Sequence, residues 1–308
     1  MSASYALVPV APLSSAQLSA PLRHWYEEGQ FLRQEDRQIF FRESAGDEVL
    51  VLIHGFPTSS WDWQPVWESL SSHYRLIAPD LFGFGFSDKP GGYDYSIMDQ
   101  ADWVEALMAK LDVRRAHLLA HDYGDTVAQE LLARERERLV AGDAGLVWET
   151  VALLNGGLFP EAHKPRPIQN LLNSPLGFLV SKMLNRQRFG KSFAEVFGPE
   201  TRPSEEELDH FWELIAWNGG QLIAHRLIRY IRERKTHRDR WLQALTQRSG
   251  PLCLINGPLD PVSGSHMVSR FRDLLPKSPV HVLEGIGHYP QVEAPLRVVR
   301  AYLDFMKG

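Results

Sequence analysis

The chain has 308 residues, 44% of them hydrophobic and 23% charged, and a formal net charge of -5. That length holds one substantial domain with an insertion, or two modest ones. The acidic balance gives no reason to expect a nucleic-acid partner. No apolar run approaches the roughly 20 residues that span a bilayer, and the single cysteine, Cys253, leaves no intrachain disulfide to form.

The amino-terminal stretch, 1–22, has no positively charged start, and Pro9, Pro12 and Pro21 break its apolar runs. It reads as a loose arm rather than a secretory signal. With the lone cysteine inside an apolar run, the expectation is a cytoplasmic protein. His24–Arg33 and Gln38–Glu43 alternate apolar and polar residues and read as a strand hairpin. Val49–Ile53 (VLVLI) is continuously apolar, and Arg75–Ala78, His117–Ala120, Val151–Leu154, Leu252–Ile255 and Val280–Leu283 read the same way apart from Arg75, His117 and His281. Runs of that kind suit parallel strands covered on both faces. Helical patterns lie between and after them, at Trp63–Leu70, Ile97–Leu111, Thr126–Ala133 and Leu296–Met306. The alternation predicts an α/β fold with a mostly parallel central sheet flanked by helices.

The alternation breaks across 156–248, which contains no convincing strand but has a capping-box pattern at Ser204 and Glu207. The expected organisation is an arm (1–22), a core built from 23–155 and 249–308, and a helical cap (156–248) over the ligand edge of the sheet. The basic stretch His225–Arg240 holds seven Lys or Arg. It reads as a solvated outer cap helix, or as a surface that attracts an anionic substrate or a membrane.

Four strand ends carry chemistry. Val49–Ile53 is followed by His54-Gly55-Phe56-Pro57, where Gly55 permits a tight turn and the Phe56 N–H can point inward. His117–Ala120 leads into Ala120-His121-Asp122-Tyr123-Gly124, of the form small-x-acid-x-small. That is the layout of a nucleophile elbow with aspartate at the tip. Asp260 follows Leu252–Ile255, and His288 follows Val280–Leu283. The order nucleophile, acid, histidine, each after its own strand, points to Asp122, Asp260 and His288 as a catalytic triad. The N–H groups of Phe56 and Tyr123 are the expected oxyanion hole. His54 and His121 flank the tight turns and read as structural.

These segments resemble the α/β-hydrolase superfamily, in the branch with an aspartate nucleophile that contains epoxide hydrolases and haloalkane dehalogenases. Within that branch the chain resembles the mesoderm-specific transcript protein group. The resemblance runs over roughly residues 50–300 and rests on IHGFPTSSWDW, LFGFGFSDKP, HDYGDTVAQELL, LNGGLFPE, FGPETRPSE, GPLDPV and HYPQVEAP. It implies the α/β-hydrolase fold and a hydrolase that forms an alkyl ester on Asp122, with no cofactor and no metal. The implied partner is a small apolar molecule with an electrophilic carbon.

A carboxylate attacks a saturated carbon when a good leaving group departs. His288 must then be neutral to draw a proton from water, so activity is expected to fall below about pH 6. Haloalkane dehalogenases usually place Trp after the nucleophile and Trp or Asn at a second halide donor. Here Tyr123 and Phe56 stand in the corresponding places. The HGFP turn resembles epoxide hydrolases, which use two cap tyrosines as acid donors. Tyr230 is the only tyrosine between Gly156 and Arg248; His210, Trp212, Trp217 and His225 are the further donor candidates. Epoxide hydrolysis is the leading expectation. A dehalogenase and a non-catalytic binding protein with the same pocket are the alternatives.

Overall fold

The computed structural model describes residues 4–13 and 17–308. One sheet contains β1 (Tyr5–Pro9), β2 (Gly29–Gln34), β3 (Arg37–Glu43), β4 (Val49–Ile53), β5 (Arg75–Pro79), β6 (Arg115–His121), β7 (Val147–Leu154), β8 (Leu252–Asn256) and β9 (Val280–Val282). Their order is β1-β2-β3-β5-β4-β6-β7-β8-β9. Pairing from β5 through β9 is parallel, and β1, β2 and β3 extend one edge by antiparallel pairing.

The apolar runs form the buried centre of this sheet because helices cover both faces. Val49, Val51 and Ile53 pack on one face with Trp103 and Leu107 of the helix Ile97–Lys110, and with Val127 and Leu131. Leu50 and Leu52 pack on the other with Val66, Leu70, Val298 and Tyr302. Period-2 alternation therefore divides one all-apolar strand between two cores. Cys253 lies in the second core, as its apolar setting implies.

Two expectations at the amino terminus are corrected. Tyr5–Pro9 is not a free arm but pairs along β2, with Leu7 opposite Leu32 and Val8 opposite Phe31. The segment predicted as a strand from His24 to Arg33 is divided. Ala20–Glu27 is a helix, and only Gly29 onward is a strand. Pro21 in the first turn favours helix initiation, and Leu22, Trp25 and Tyr26 form a helix-spaced buried face. Residues 14–16 of the arm lie outside the described residues.

Between β7 and β8 the described chain is helical, with helices from Pro167–Leu172 to Arg238–Thr246 and no strand. The predicted capping box is formed: Ser204 accepts from the Glu207 N–H, and Glu207 accepts from Ser204. The insertion is tied to the core through Glu130, on the long helix Tyr123–Ala141. This buried carboxylate accepts from the Trp241 indole at 2.8 Å, the Arg240 guanidinium at 2.9 and 3.0 Å, and Arg134 at 2.9 Å. Burial opposes the charge on Glu130, yet these donors hold its pKa below the usual carboxylate value.

Replacing Glu130 by Ala strands the buried Trp241 indole N–H and leaves Arg240 with Glu137 alone. The expected loss is about 2 kcal/mol or more of unfolding free energy in denaturant titration. An unchanged midpoint would remove Glu130 as the anchor.

Candidate active site

The sheet order reverses at β4, which has β5 on one side and β6 on the other. In parallel sheets a crevice opens at such a switch point, at the carboxyl ends of the strands. The turn after β4 and the turn after β6 meet there. Asp122 has φ 46° and ψ -100°, a strained conformation for a side-chain-bearing residue, between the end of β6 and the first residue of the helix at Tyr123. The backbone can come this close to β4 only because residue 124 is glycine. A Cβ there would lie 2.4 Å from the Ile53 carbonyl oxygen.

His54 and His121 brace the turns. His54 Nε2 accepts from the Leu81 N–H at 3.0 Å, which leaves Nδ1–H to donate to the Gly55 carbonyl at 2.8 Å. Burial pushes its pKa down to about 4. His121 Nε2–H donates to the His288 carbonyl at 2.7 Å, and burial followed by the His288 charge lowers its pKa to about 3. Both rings are therefore neutral spacers, in line with their structural reading.

The three residues expected to form a triad lie together. His288 Nδ1–H donates to Asp260 Oδ2 at 2.7 Å, and its Nε2 faces Asp122 Oδ2 at 4.0 Å. Asp260 also accepts from Ser263 Oγ at 2.7 Å, Asn155 Nδ2 at 3.0 Å and the Val262 N–H at 2.7 Å. Burial works against its charge, but His288 and these donors lower its pKa to about 2. Burial also disfavours the imidazolium, yet Asp260 and then Asp122 raise the His288 pKa to about 9. His288 therefore carries its proton in the resting site above the ordinary imidazole range.

The Phe56 N–H donates to Asp122 Oδ2 at 3.2 Å. Tyr123 is the first residue of its helix, so its N–H has no intrahelical acceptor. Tyr230 places its hydroxyl 3.4 Å from both carboxylate oxygens of Asp122. Trp212 lines the cavity beside the site. Trp217 and His225 are not brought there. Trp217 packs against Phe86, and His225 bonds to Ser181. His210 packs against Trp61.

Arg234 was read as part of a solvated helix, and the structure overturns that reading. Its side chain is 1% exposed. Nη2 donates to the Asp122 carbonyl at 3.0 Å and lies 3.6 Å from Asp122 Oδ1. Nε donates to Thr126 at 2.7 Å, and the guanidinium carbon lies 4.4 Å from the Tyr230 ring centroid. Gly157 makes the room, since a Cβ there would lie 2.0 Å from Arg234 Nη1. The glycine pair at 156–157 was the available sequence signal. Tyr289 was also missed. Its hydroxyl donates to the Phe56 carbonyl at 3.2 Å, and its ring lines the cavity.

The cavity above Asp122 has a volume of about 380 Å³ and largely apolar walls that include Phe56, Leu172, Val180, Phe193 and Trp212. It suits an apolar small molecule. Among the described residues, no helix is long and apolar enough to cross a membrane.

Comparison with known proteins places this geometry in a family. The α/β hydrolase fold pattern matches residues 48–295. The mesoderm-specific transcript homolog protein of Bos taurus is 44% identical over 303 residues, covering 95% of this chain and 90% of that protein. Among solved structures, a haloalkane dehalogenase loop variant from Bradyrhizobium elkanii superposes with a TM-score of 0.73 at 21% identity, covering 99% of this chain and 97% of the other. The epoxide hydrolase CorEH superposes with a TM-score of 0.72 at 19% identity, covering 91% and 98%. At those identities the two structures share the fold alone, so they do not choose between the two chemistries. By its sequence match and its architecture, the chain belongs to the α/β-hydrolase family.

Proposed function

We propose that this protein is a hydrolase of epoxide-hydrolase type, with Asp122 as nucleophile. The observation that carries the reading is the Tyr230 hydroxyl, 3.4 Å from each Asp122 oxygen. An epoxide opens to a basic alkoxide and needs an acid beside the attacking carboxylate, whereas a halide leaves as a stable anion and needs none. Burial and the Asp122 charge raise the Tyr230 pKa, while Arg234 pulls it down. The phenol therefore keeps its proton at rest.

In the first step an Asp122 oxygen bonds to an epoxide carbon, the C–O bond of the ring breaks, and the ring oxygen takes the Tyr230 proton. The Asp122 charge disappears as the ester forms, and the new phenolate lies under the Arg234 cation. With the Asp122 charge gone, the His288 imidazolium gives a proton to solvent, which it regains when the Asp122 carboxylate is restored. In the second step the neutral His288 takes a proton from water, and the hydroxide adds to the ester carbonyl. The N–H groups of Phe56 and Tyr123 receive the oxyanion. Collapse expels the alkoxide, which takes the proton back from His288. Asp122 is left as the acid and returns its proton to the Tyr230 phenolate. The sum is one epoxide and one water giving one diol.

Replacement of His288 by Gln blocks the second step only. Incubated with an epoxide series, His288→Gln is expected to gain the mass of the substrate, with the adduct mapping to Asp122. An adduct with alkyl halides but not with epoxides would make the protein a dehalogenase. No adduct with either, from a library that labels a known epoxide hydrolase, would favour a pocket that only binds.

In the same background, Tyr230→Phe should slow alkylation by about 10²–10³-fold. Arg234 is a positioning residue, because it reaches the substrate only through Asp122 and Tyr230. Arg234→Met should lower the maximal alkylation rate about 10–100-fold with little change in the half-saturating concentration, and Arg234→Lys should recover part of it. Equal loss of both parameters, or loss of cooperative unfolding in both variants, would assign Arg234 to folding alone.

The His288 titration supplies a separate check. A neighbouring carboxylate favours the imidazolium, so removing the Asp122 charge must lower the His288 pKa from about 9. Asp122→Asn is neutral like the ester. Imidazole NMR titration should show the fall, and ester hydrolysis should rise with pH through the lowered value. An unshifted titration would separate the two groups electrostatically.

A further inference from the structure

Five of the large hydrophobic side chains exposed among the described residues fall within 13 positions: Leu171, Leu176, Phe178, Leu179 and Met183, exposed by 45–58%. They lie on and beside the helices Pro167–Leu172 and Gly177–Lys182. A soluble surface seldom gathers so much apolar area without a use for it. Leu171 and Met183 also line the cavity above Asp122, so the apolar wall of the pocket continues out to this surface.

The charge around the patch has one sign. From 162 to 194 the sequence has six Lys or Arg and no Asp or Glu, in a chain whose net charge is -5. Arg166 and Arg186 are paired with Glu195, Glu205 and Asp209. Among the described residues, Lys164, Lys182, Arg188 and Lys191 make no ion pair. Lys182 sits over the Phe178 ring, and Arg232 reaches across to the Asn173 carbonyl, which adds a further cation at the border. Exposed apolar side chains ringed by unpaired cations match the boundary of an anionic lipid leaflet, where acyl chains lie beneath phosphate headgroups. An anionic leaflet supplies both features at once, an apolar layer and a sheet of negative headgroups above it.

We propose that the surface formed by 171–183 docks on anionic lipid bilayers and turns the mouth of the cavity toward the membrane. A lipophilic substrate would then enter from the bilayer without crossing water. The docking surface is independent of the chemistry at Asp122.

Sedimentation of the full chain with vesicles tests this. Binding is expected to phosphatidylcholine vesicles that contain phosphatidylglycerol, to be weaker on phosphatidylcholine alone, and to weaken with added salt. The triple variant Leu176→Ser, Phe178→Ser, Leu179→Ser changes exposed residues outside the cavity wall. It should reduce vesicle partitioning on the order of tenfold while keeping the wild-type unfolding midpoint. Vesicle binding that survives the triple substitution would place the contact elsewhere and overturn the proposal. So would the absence of binding to either vesicle. A wild-type dimer in solution that the triple variant dissolves, with no vesicle binding, would make the patch a self-interface instead.

Discussion

A carboxylate that is almost completely buried is the constraint on which the rest of this site depends. Asp122 is 3% exposed. A charge removed from water must be met by donors or counter-charges fixed in place. Three separate parts of the chain meet it: the Phe56 N–H after β4, Tyr230 and Arg234 on one helix of the insertion, and His288 from the loop after β9. Each is far from the others in sequence. The fold can deliver them together only because β4 and β6 are adjacent and the insertion closes over their ends.

The same arrangement makes the site sensitive to its own charge. At rest, Asp122 and Asp260 face Arg234 and the His288 imidazolium. Loss of the Asp122 charge would leave an excess of positive charge, and that excess pushes two protons in useful directions. It makes the Tyr230 proton easier to give up and the His288 proton easier to lose. A guanidinium is a permanent cation, and that of Arg234 is held against both Asp122 and the Tyr230 ring. In the proposed reaction it is the fixed charge against which the Tyr230 and His288 protons move.

The parts of this site that follow a strand were legible in the sequence. Asp122, Asp260, His288 and the HGFP turn each follow an apolar run, and strand ends in a parallel sheet converge by topology. Tyr230 was legible only as a candidate, because a helical tyrosine has no such address. Arg234 was not legible. It sits among arginines at helical spacing, and Arg226, Arg229 and Arg232 are half-buried or exposed while Arg234 is enclosed. Local pattern cannot separate them; the chain bends between short helices at Ala224–Leu227, Tyr230–Thr236 and Arg238–Thr246 and turns one face inward. The helix at Ala20–Glu27 was misread for the converse reason. Its aromatic pair has strand composition, but Pro21 in the first turn and the spacing of Leu22, Trp25 and Tyr26 on one buried face favour the helix.

The insertion is bonded to the core unevenly, and the unevenness matches its two tasks. From Val196 onward it is tied down at many points. The His288 N–H donates to the Val196 carbonyl, and Glu293 accepts from the N–H groups of both Gly198 and Gly287. Glu233 accepts from Ile97, Arg234 bonds to Thr126, and Arg240 and Trp241 bond to Glu130. Among the described residues, the hydrogen bonds of 167–194 instead run to other parts of the insertion, such as Arg186 to Glu205 and Ser181 to His225. The half that holds Tyr230 and Arg234 has directional bonds to the core helices and to the His288 loop, which fix its side chains beside Asp122. The half that walls the cavity is held to the core by apolar contact, which is non-directional and tolerates sliding. Shape at the entrance can therefore change without moving the groups that surround Asp122.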